Sequence, residues 1–572
     1  MKLLLVLAAL GMVATVSAAN PASAPRIASL VATTPEKLVT NYEKNLAFKS
    51  PFVNHPELAV RLASKERVTE SLRAIEKAVV GLEKRDAPAV KFAHGVASGD
   101  ALEDSIILWT KVTPPSKGAS VAVEYHVATD SAFSNIVKKG AVLTTADVDF
   151  TVKVDASGLT PATKYYYRFV STGVASMTGR TQTLPPTGAA IKKLKLAVTS
   201  CSNMPHGYFH AYRRIAENPD VDMVVMLGDS IYEYDLDGYK PVGGKMPASR
   251  DPQPPKVISS LYDYRTRHAQ YKTDVDQQAM LAAKGTVITV DDHEFADNAW
   301  TGGANNHKDD RDGPWGPRKA AAARAWHEYM PVRILNISSD FKIYRKFQIG
   351  NLVDLIMLDT RIDGRDQQAK GDREKRNLMG KEQEAWMLDS LKNSKATWKV
   401  LGQQVMFAPL PSKVLAWEIP FLADGWSGYP GPRQRLIDFI VRNKISSVAV
   451  LTGDLHASVA SDIYNPNGDY DKDTGRGAVM VEFVGPSVTS TGPAQESATL
   501  DWLGRGAFKL ANKGAKFVDL YRHGYMLVTF TPEKVRTEYK FVNSVKTLDG
   551  GADYTAKVLE SAVGSNRITY QS

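Results

Sequence analysis

An α/β protein built in layers is predicted: a β-sheet core flanked by helices, preceded by a small β-sandwich and a helical N-terminal segment. From residue 190 onward apolar runs recur, each ending in polar residues: "KLKLAVTSC", "VDMVVMLGDS", "GTVITVDDHE", "NLVDLIMLDTR", "TWKVLGQQV", "SSVAVLTGDLH" and "GAVMVEFVGPS". Runs of this kind read as strands buried on both faces. Helical patterns lie between several of them, at 383–392 and 433–443, so strands and helices alternate and pack in layers. Between about 90 and 185 the pattern is instead short alternating strands such as "SVAVEYHVA" and "DFTVKVDA". At 572 residues the chain is too long for one hydrophobic core.

The elements follow in chain order. Lys2, the apolar run 3–16 and the small residues Ser17, Ala18 and Ala19 have the layout of a cleavable signal peptide over 1–18, with no twin arginine before it. The run falls short of the ~20 residues that a span needs, and no later stretch is apolar enough to cross a bilayer, so a soluble, secreted protein is expected. Residues 20–86 read as helical because Val68, Leu72, Ile75, Val79 and Leu82 share one face. That segment ends in "LEKRDAP", where Lys84-Arg85 is either a processing site or an exposed helix end before Pro88. "NIS" at Asn336 is a glycosylation acceptor if the host glycosylates. In "GLTPATKYYYRF" a Leu-x-Pro turn followed by a tyrosine early in a strand resembles the tyrosine corner of fibronectin-like sandwiches, which assigns 90–185 to a β-sandwich ending at "LPPTG". Residues 190–545 form the layered domain, and 546–572 a C-terminal tail.

Composition narrows the partners. Hydrophobic residues at 43% and charged residues at 23%, without a biased tract or repeat, exclude disorder and fibrous classes. The net charge of +9 is scattered among 62 acids rather than gathered in a stripe, which argues against nucleic acid as a structural partner. A mildly positive field still favours anionic substrates. Cys201 is the single cysteine, so it is a reactive thiol, a ligand or a buried bystander.

The strand ends decide among these. Cys201, Asp229, Asp292, His293, Asp454 and His456 all stand just beyond carboxyl ends of apolar runs, where ligands gather in α/β folds. If the strands lie side by side these groups converge. Uncompensated carboxylates would then raise one another's pKa, and bound cations relieve that repulsion.

With "GDSIYEY" at 228–234, "GDLH" at 453–456 and "FAHGVASGDALEDSIILWTKV" at 92–112, the chain resembles the PhoD-like alkaline phosphatases and phosphodiesterases of the metallophosphoesterase group, which includes purple acid phosphatases. The resemblance runs from about Phe92 to about Val542, with five motif pieces in the same order. It implies a metallophosphoesterase-type sheet core, with Cys201, Asp229, Tyr232 and His456 as ligands of a ferric ion (Fe3+). Thiolate, phenolate and carboxylate donors suit a trivalent metal, and a metal-bound thiol needs no disulfide partner. Asp229 would bridge to a second site holding calcium (Ca2+) with Asp292 and Asp454, where oxygen donors suit that ion. "VDDHE" stands in the place of the group's Asn-His-Glu motif, which puts Asp292 rather than Asp291 on the metal, with Asn298 in "FADNAW" as an alternative donor or a substrate contact.

The function so implied is a secreted metal-dependent phosphoesterase that acts on phosphate monoesters, diesters or both through attack of a metal-activated hydroxide. Asp229 serves as a catalytic ligand. His293 either protonates the leaving alkoxide or holds a neighbouring carboxylate. No "GxSxG" elbow supports a covalent serine route. Arg361 either forks onto phosphate oxygens or pairs with Asp359 or Asp363. The loop 302–316 lacks helix or strand pattern and is expected to line the entrance. One of His206 and His210 is expected to touch substrate, whereas His268, His327 and His523 are assigned to packing or surface, and Trp386 and Trp398 to the core. The alternative substrate is a phospholipid, cleaved at the head group as by a phospholipase D, although no amphipathic membrane face is evident. A non-catalytic binding protein would have lost ligands that this chain retains.

Overall fold

The computed structural model describes residues 43–48, 90–114, 120–333, 341–410, 413–414, 417–418, 423–494 and 497–571. The expected signal peptide, the helical periodicity at 68–82, the Lys84-Arg85 pair and Asn336 lie outside the described residues. Of the segment 20–86, residues 43–48 are described and include one 3-10 turn, Leu46–Phe48.

The first eight strands are β1 (Val96–Gly99), β2 (Ser105–Lys111), β3 (Val121–Ala128), β4 (Ile136–Thr144), β5 (Thr151–Ser157), β6 (Lys164–Ser171), β7 (Val174–Ala175) and β8 (Gly179–Gln182). One layer runs β4-β3-β6-β7, with β8 also on β6. It packs against β1-β2-β5 through Val123, Tyr125, Val127 and Phe169 on one side and Ile106, Leu108, Val152 and Val154 on the other. Tyr165, second in β6, accepts a 2.8 Å hydrogen bond from the Thr160 amide, the tyrosine corner read from the sequence.

The second layer of this sandwich is not free-standing. It continues into a ten-stranded sheet, because β1 pairs in parallel with β11 (Gly285–Ile288), Ser98 opposite Gly285 and Gly99 opposite Thr286. Every residue of β1 is buried, and an unpaired buried edge would strand its amides and carbonyls.

The core sheets are built from β9 (Leu194–Thr199), β10 (Met223–Met226), β11, β12 (Arg345–Ile349), β13 (Val353–Met357), β14 (Trp398–Gln403), β15 (Val448–Thr452), β16 (Ser458–Tyr464), β17 (Ala478–Val484), β18 (Ala515–Asp519), β19 (Gly524–Phe530), β20 (Lys534–Val542), β21 (Asp553–Ala562) and β22 (Thr569–Gln571). The ten-stranded sheet runs β22-β21-β20-β19-β9-β10-β11-β1-β2-β5, and a seven-stranded sheet runs β12-β13-β14-β15-β17-β16-β18. The sheets face each other. Leu196, Val198, Val225 and Val287 from one meet Leu355, Met357, Val400 and Leu451 from the other.

The alternate residues face outward onto helices, which is why these runs are apolar throughout. Ala197, Val224, Met226 and Ile288 pack on α1 (His210–Glu217), α2 (Leu261–Tyr271), α3 (Val275–Ala283) and α5 (Trp315–Tyr329), while the short α4 (Asp309–Asp312) precedes α5. Ile356, Leu401, Val448 and Val450 pack on α6 (Lys381–Asn393), α7 (Pro430–Arg442) and α8 (Ala498–Ala511). The layering is therefore helix, sheet, sheet, helix. The expected tail is corrected: part of 546–572 forms β21 and β22 on the sheet edge, because "DYTAKVLESA" pairs strand-wise along β20.

Candidate metal centre at the strand ends

β9, β10 and β11 are parallel neighbours, and so are β13, β14, β15 and β17, so the carboxyl ends of each set open at one rim. The turns after these strands carry the chemistry. Cys201, Asp229, Asn298, Asp454 and His456 all have left-handed backbones, with φ between 51° and 63°. A thiol and an imidazole there are the costlier cases, since aspartate and asparagine tolerate this region better. Glycines let the turns close. A Cβ on Gly228 (φ 104°) would lie 2.4 Å from Asp291 Cβ, and one on Gly453 would lie 2.8 Å from Ser200 Oγ.

Three overlapping groups form, and within each group the potential ligand atoms lie within 4.8 Å of one another: Cys201, Asp229 and His456; Asp229, Asp292 and His293; Asp291, Asp292 and Asp454. Asp229 belongs to two of them. Tyr232 joins the first, with its hydroxyl 2.8 Å from Asp229 Oδ2 and 3.1 Å from His456 Nε2. Ser490 Oγ lies 2.6 Å from that hydroxyl and 2.9 Å from the Cys201 carbonyl, so its one proton serves either of them. His456 Nδ1 faces the Thr491 carbonyl at 3.1 Å, which requires the proton on Nδ1 and leaves Nε2 with a lone pair toward the centre.

The electrostatics suit cations. Burial, reinforced by Asp229, pushes the Cys201 thiol and the Tyr232 phenol well above their ordinary values. Burial raises Asp454 to about 8 and Asp291 well above the carboxylate range, with Arg361 opposing and the neighbouring carboxylates adding to it. Asp292 is lowered despite its burial, chiefly by Arg361 and His293. Asp291 Oδ2 is buried and has no hydrogen-bond partner among the described residues. Around Tyr232, Asp229 Oδ2 and His456 Nε2 both face the single phenolic proton. A surplus of buried lone pairs over donors fits bound metal ions.

His293 lies beside this centre. Its Nδ1 is 2.8 Å from Glu233 Oε2, and its Nε2 is 4.0 Å from Asp292 Oδ2. Burial alone would depress the imidazolium, but Asp292, Asp229 and Glu233 outweigh it and hold the pKa well above the ordinary histidine value. Glu233 Oε1 accepts from the Asp297 amide at 2.7 Å and from Asn306 at 2.5 Å, so the loop 302–316 reaches the site through Asn306 and includes the short helix α4.

One expectation is corrected. Arg361 is fully buried, and its guanidinium contacts Asp291 (2.5 Å), Asp424 (2.7 Å) and Asp454, so its fork is committed to carboxylates rather than to phosphate, Asp359 or Asp363. His206 and His210 are held by the chain itself: His206 bridges the Tyr239 carbonyl and the Thr491 amide, and His210 Nε2 lies 2.8 Å from the Thr547 carbonyl. Asn298 gives its amide to Asp292 Oδ2 and its side chain to Asp297. Asp291 stands in the cluster beside Asp292.

Sequence reasoning passed over Glu233, Glu294, Tyr239, Asp424 and Ser490. Glu294 is fully buried and collects four hydrogen bonds, from the amides of Asp229 (3.0 Å), Ser230 (2.5 Å) and Asp291 (2.7 Å) and from Ser230 Oγ (2.6 Å). Both glutamates sit inside motifs already singled out, "GDSIYEY" and "VDDHE", so an uncommitted carboxylate in a buried turn was the available signal. Asp424 and Ser490 lie in stretches with no local pattern.

Two facing sheets whose strand ends gather thiol, phenol, imidazole and carboxylates form the architecture of a hydrolase acting on phosphoric esters. Residues 196–539 match the PhoD-like phosphatase family, and residues 76–185 match the PhoD-like phosphatase N-terminal domain. The chain belongs to the PhoD-like phosphatase family. It is 38% identical over 470 residues to alkaline phosphatase D of Bacillus subtilis (strain 168), across 78% of this chain and 77% of that protein. It also superposes on a solved structure of PhoD with a TM-score of 0.76 at 34% identity, covering 85% of this chain and 93% of that one.

Proposed function

We propose that this phosphatase is exported and metal-dependent, and that it hydrolyses phosphate monoesters, diesters or both. Cys201, Asp229, Tyr232 and His456 are suited to a ferric ion, and Asp229, Asp292, Asp454 and the free oxygen of Asp291 to calcium. One observation carries the reading: Asp229 is shared by two groups of potential ligands, and a third group contains a carboxylate oxygen without a partner. Resemblance to an alkaline phosphatase supports the substrate class. Export rests on the signal-like residues 1–18.

Bound ions would polarise the phosphoryl oxygens and lower the pKa of a water. The chain's own residues do the rest. Glu233 accepts from His293 Nδ1 and so aims Nε2 toward the centre, where it can give a proton to the leaving oxygen. Arg361 offsets part of the negative charge of Asp291, Asp424 and Asp454 and fixes their orientation.

Replacing Asp229→Asn tests this. It should lower kcat on p-nitrophenyl phosphate more than about 100-fold, beyond the cost of losing an outer hydrogen-bond partner, and reduce the metal content found by elemental analysis. Hydrolysis at the normal rate would overturn the assignment. Purified protein should show a visible charge-transfer band that Tyr232→Phe bleaches or shifts. A panel of monoester, bis-ester and phosphatidylcholine then ranks the substrates.

A further inference from the structure

The polarity of α8 is inverted. Its inward side carries Asp501 and Arg505 besides Phe508. Asp501 accepts from the Leu520 amide at 2.8 Å, and Arg505 pairs with Asp501 and, at 2.6 Å, with the buried Asp519. Its outward side exposes Leu500 (48%), Trp502 (73%), Leu503 (55%) and Leu510 (87%). Leu500, Leu503, Ala507 and Leu510 recur at three- and four-residue steps and make one stripe, with Trp502 beside it. A surface helix adapted to water alone would carry these residues the other way round.

We propose that α8 seats the protein on an anionic lipid surface. Charge complementarity favours this occupant: Lys509 and Lys513 are exposed at the end of the stripe without an ion pair among the described residues, and the one acid of the helix, Asp501, is turned inward. A second copy of the chain is a poorer fit. Fourteen residues at ~1.5 Å rise give a stripe of roughly 21 by 10 Å, about a quarter of the ~800 Å² per partner of a stable interface. Leucine and tryptophan flanked by lysine are the residues by which interfacial helices insert.

Thr491, whose carbonyl faces His456 Nδ1 and accepts from Tyr239, is followed six residues later by Ser497, which caps α8 through the Leu500 amide. That stretch of chain runs in sequence from the candidate metal centre to α8.

The test reads binding and is independent of hydrolysis. The full chain is sedimented with vesicles of phosphatidylglycerol or of phosphatidylcholine, beside the triple variant Trp502→Ser, Leu503→Ser, Leu510→Ser. Wild type should bind phosphatidylglycerol vesicles, and the triple variant should lose at least about tenfold in affinity while hydrolysing p-nitrophenyl phosphate as before. Lys509→Glu with Lys513→Glu should weaken binding to anionic vesicles, and added salt should do the same. Wild type remaining in the supernatant, or a triple variant that binds equally well, overturns the proposal. So does a dimer in analytical ultracentrifugation that the triple variant dissociates, since the face would then belong to a second copy.

Discussion

Replacing Glu294→Gln changes one atom at the point where two turns bearing candidate ligands are tied together. In the native site Oε1 accepts from the Ser230 amide and hydroxyl, and Oε2 from the amides of Asp229 and Asp291. A glutamine turns one oxygen into an NH2 group: in the Oε2 position it faces the amides of Asp229 and Asp291, and in the Oε1 position it faces the Ser230 amide while the Ser230 hydroxyl turns to accept. Each lost hydrogen bond to a buried charged acceptor is worth about 1.5–3 kcal/mol, which makes the local penalty about 1.5–6 kcal/mol. The turns will not hold their register at that cost, and a shift of about 1 Å in a ligand typically lowers turnover ~100-fold. The assay pairs elemental analysis after dialysis with kcat and KM on p-nitrophenyl phosphate, and adds thermal unfolding. Glu294 acts through its neighbours, so metal content and kcat should fall while KM changes less. Activity and metal content within twofold of wild type would show that Glu294 does not position Asp229 and Asp291.

Other perturbations have equally definite signs. Lys272 is buried with Met330 Sδ at 3.8 Å and the Trp109 ring at 5.6 Å, and burial lowers its pKa from 10.5 to about 7. The unfolded chain therefore binds more protons between about pH 7 and 10.5, and this residue makes stability rise with pH over that window. Lys272→Met should stabilise the fold at pH 7, by up to several kcal/mol, and flatten the slope. Guanidinium unfolding at pH 7 and 9.5 checks this, and an unchanged slope counts against it. Gly228→Ala should abolish most activity because its Cβ meets Asp291, whereas Gly506→Ala, with open space around its Cβ, should raise helix stability by about 0.5–1 kcal/mol. Kinetics and thermal unfolding on both variants distinguish a crowded turn from a tolerant one.

Much of this molecule was legible because alternation and strand-end chemistry are local. The run "VDMVVMLGDS" announces a buried strand and delivers Asp229 to its end without reference to any other part of the chain. What stayed hidden depends on pairing between distant segments. Nothing near Val96 says that β1 will dock on β11 rather than stay within a sandwich, since that choice is settled by a partner edge almost 190 residues away. Arg361 was misread for a related reason. A lone arginine at a strand end looks free to bind phosphate, and only the fold reveals that Asp291, Asp424 and Asp454 meet there and need its charge. The outward face of α8 escaped notice because an apolar stripe in sequence is by default assigned to the core.

These failures and successes share a cause in how the site is held. Left-handed backbone at non-glycine residues costs roughly 1–3 kcal/mol each, and five such residues bear on one centre. Such geometry persists only if the surroundings over-determine it. They do: the Cys201 carbonyl accepts from the Thr489 and Ser490 amides and from Ser490 Oγ, while the Cys201 amide donates to Gly228 and the Ser202 amide to Asp229. Glu294 binds the next turn across to Asp291. The turns that carry the thiol and imidazole are thus held by a hydrogen-bonded frame that reaches both sheets. The residues of this frame look ordinary one at a time, and that is why sequence names the candidate ligands more readily than what holds them in place.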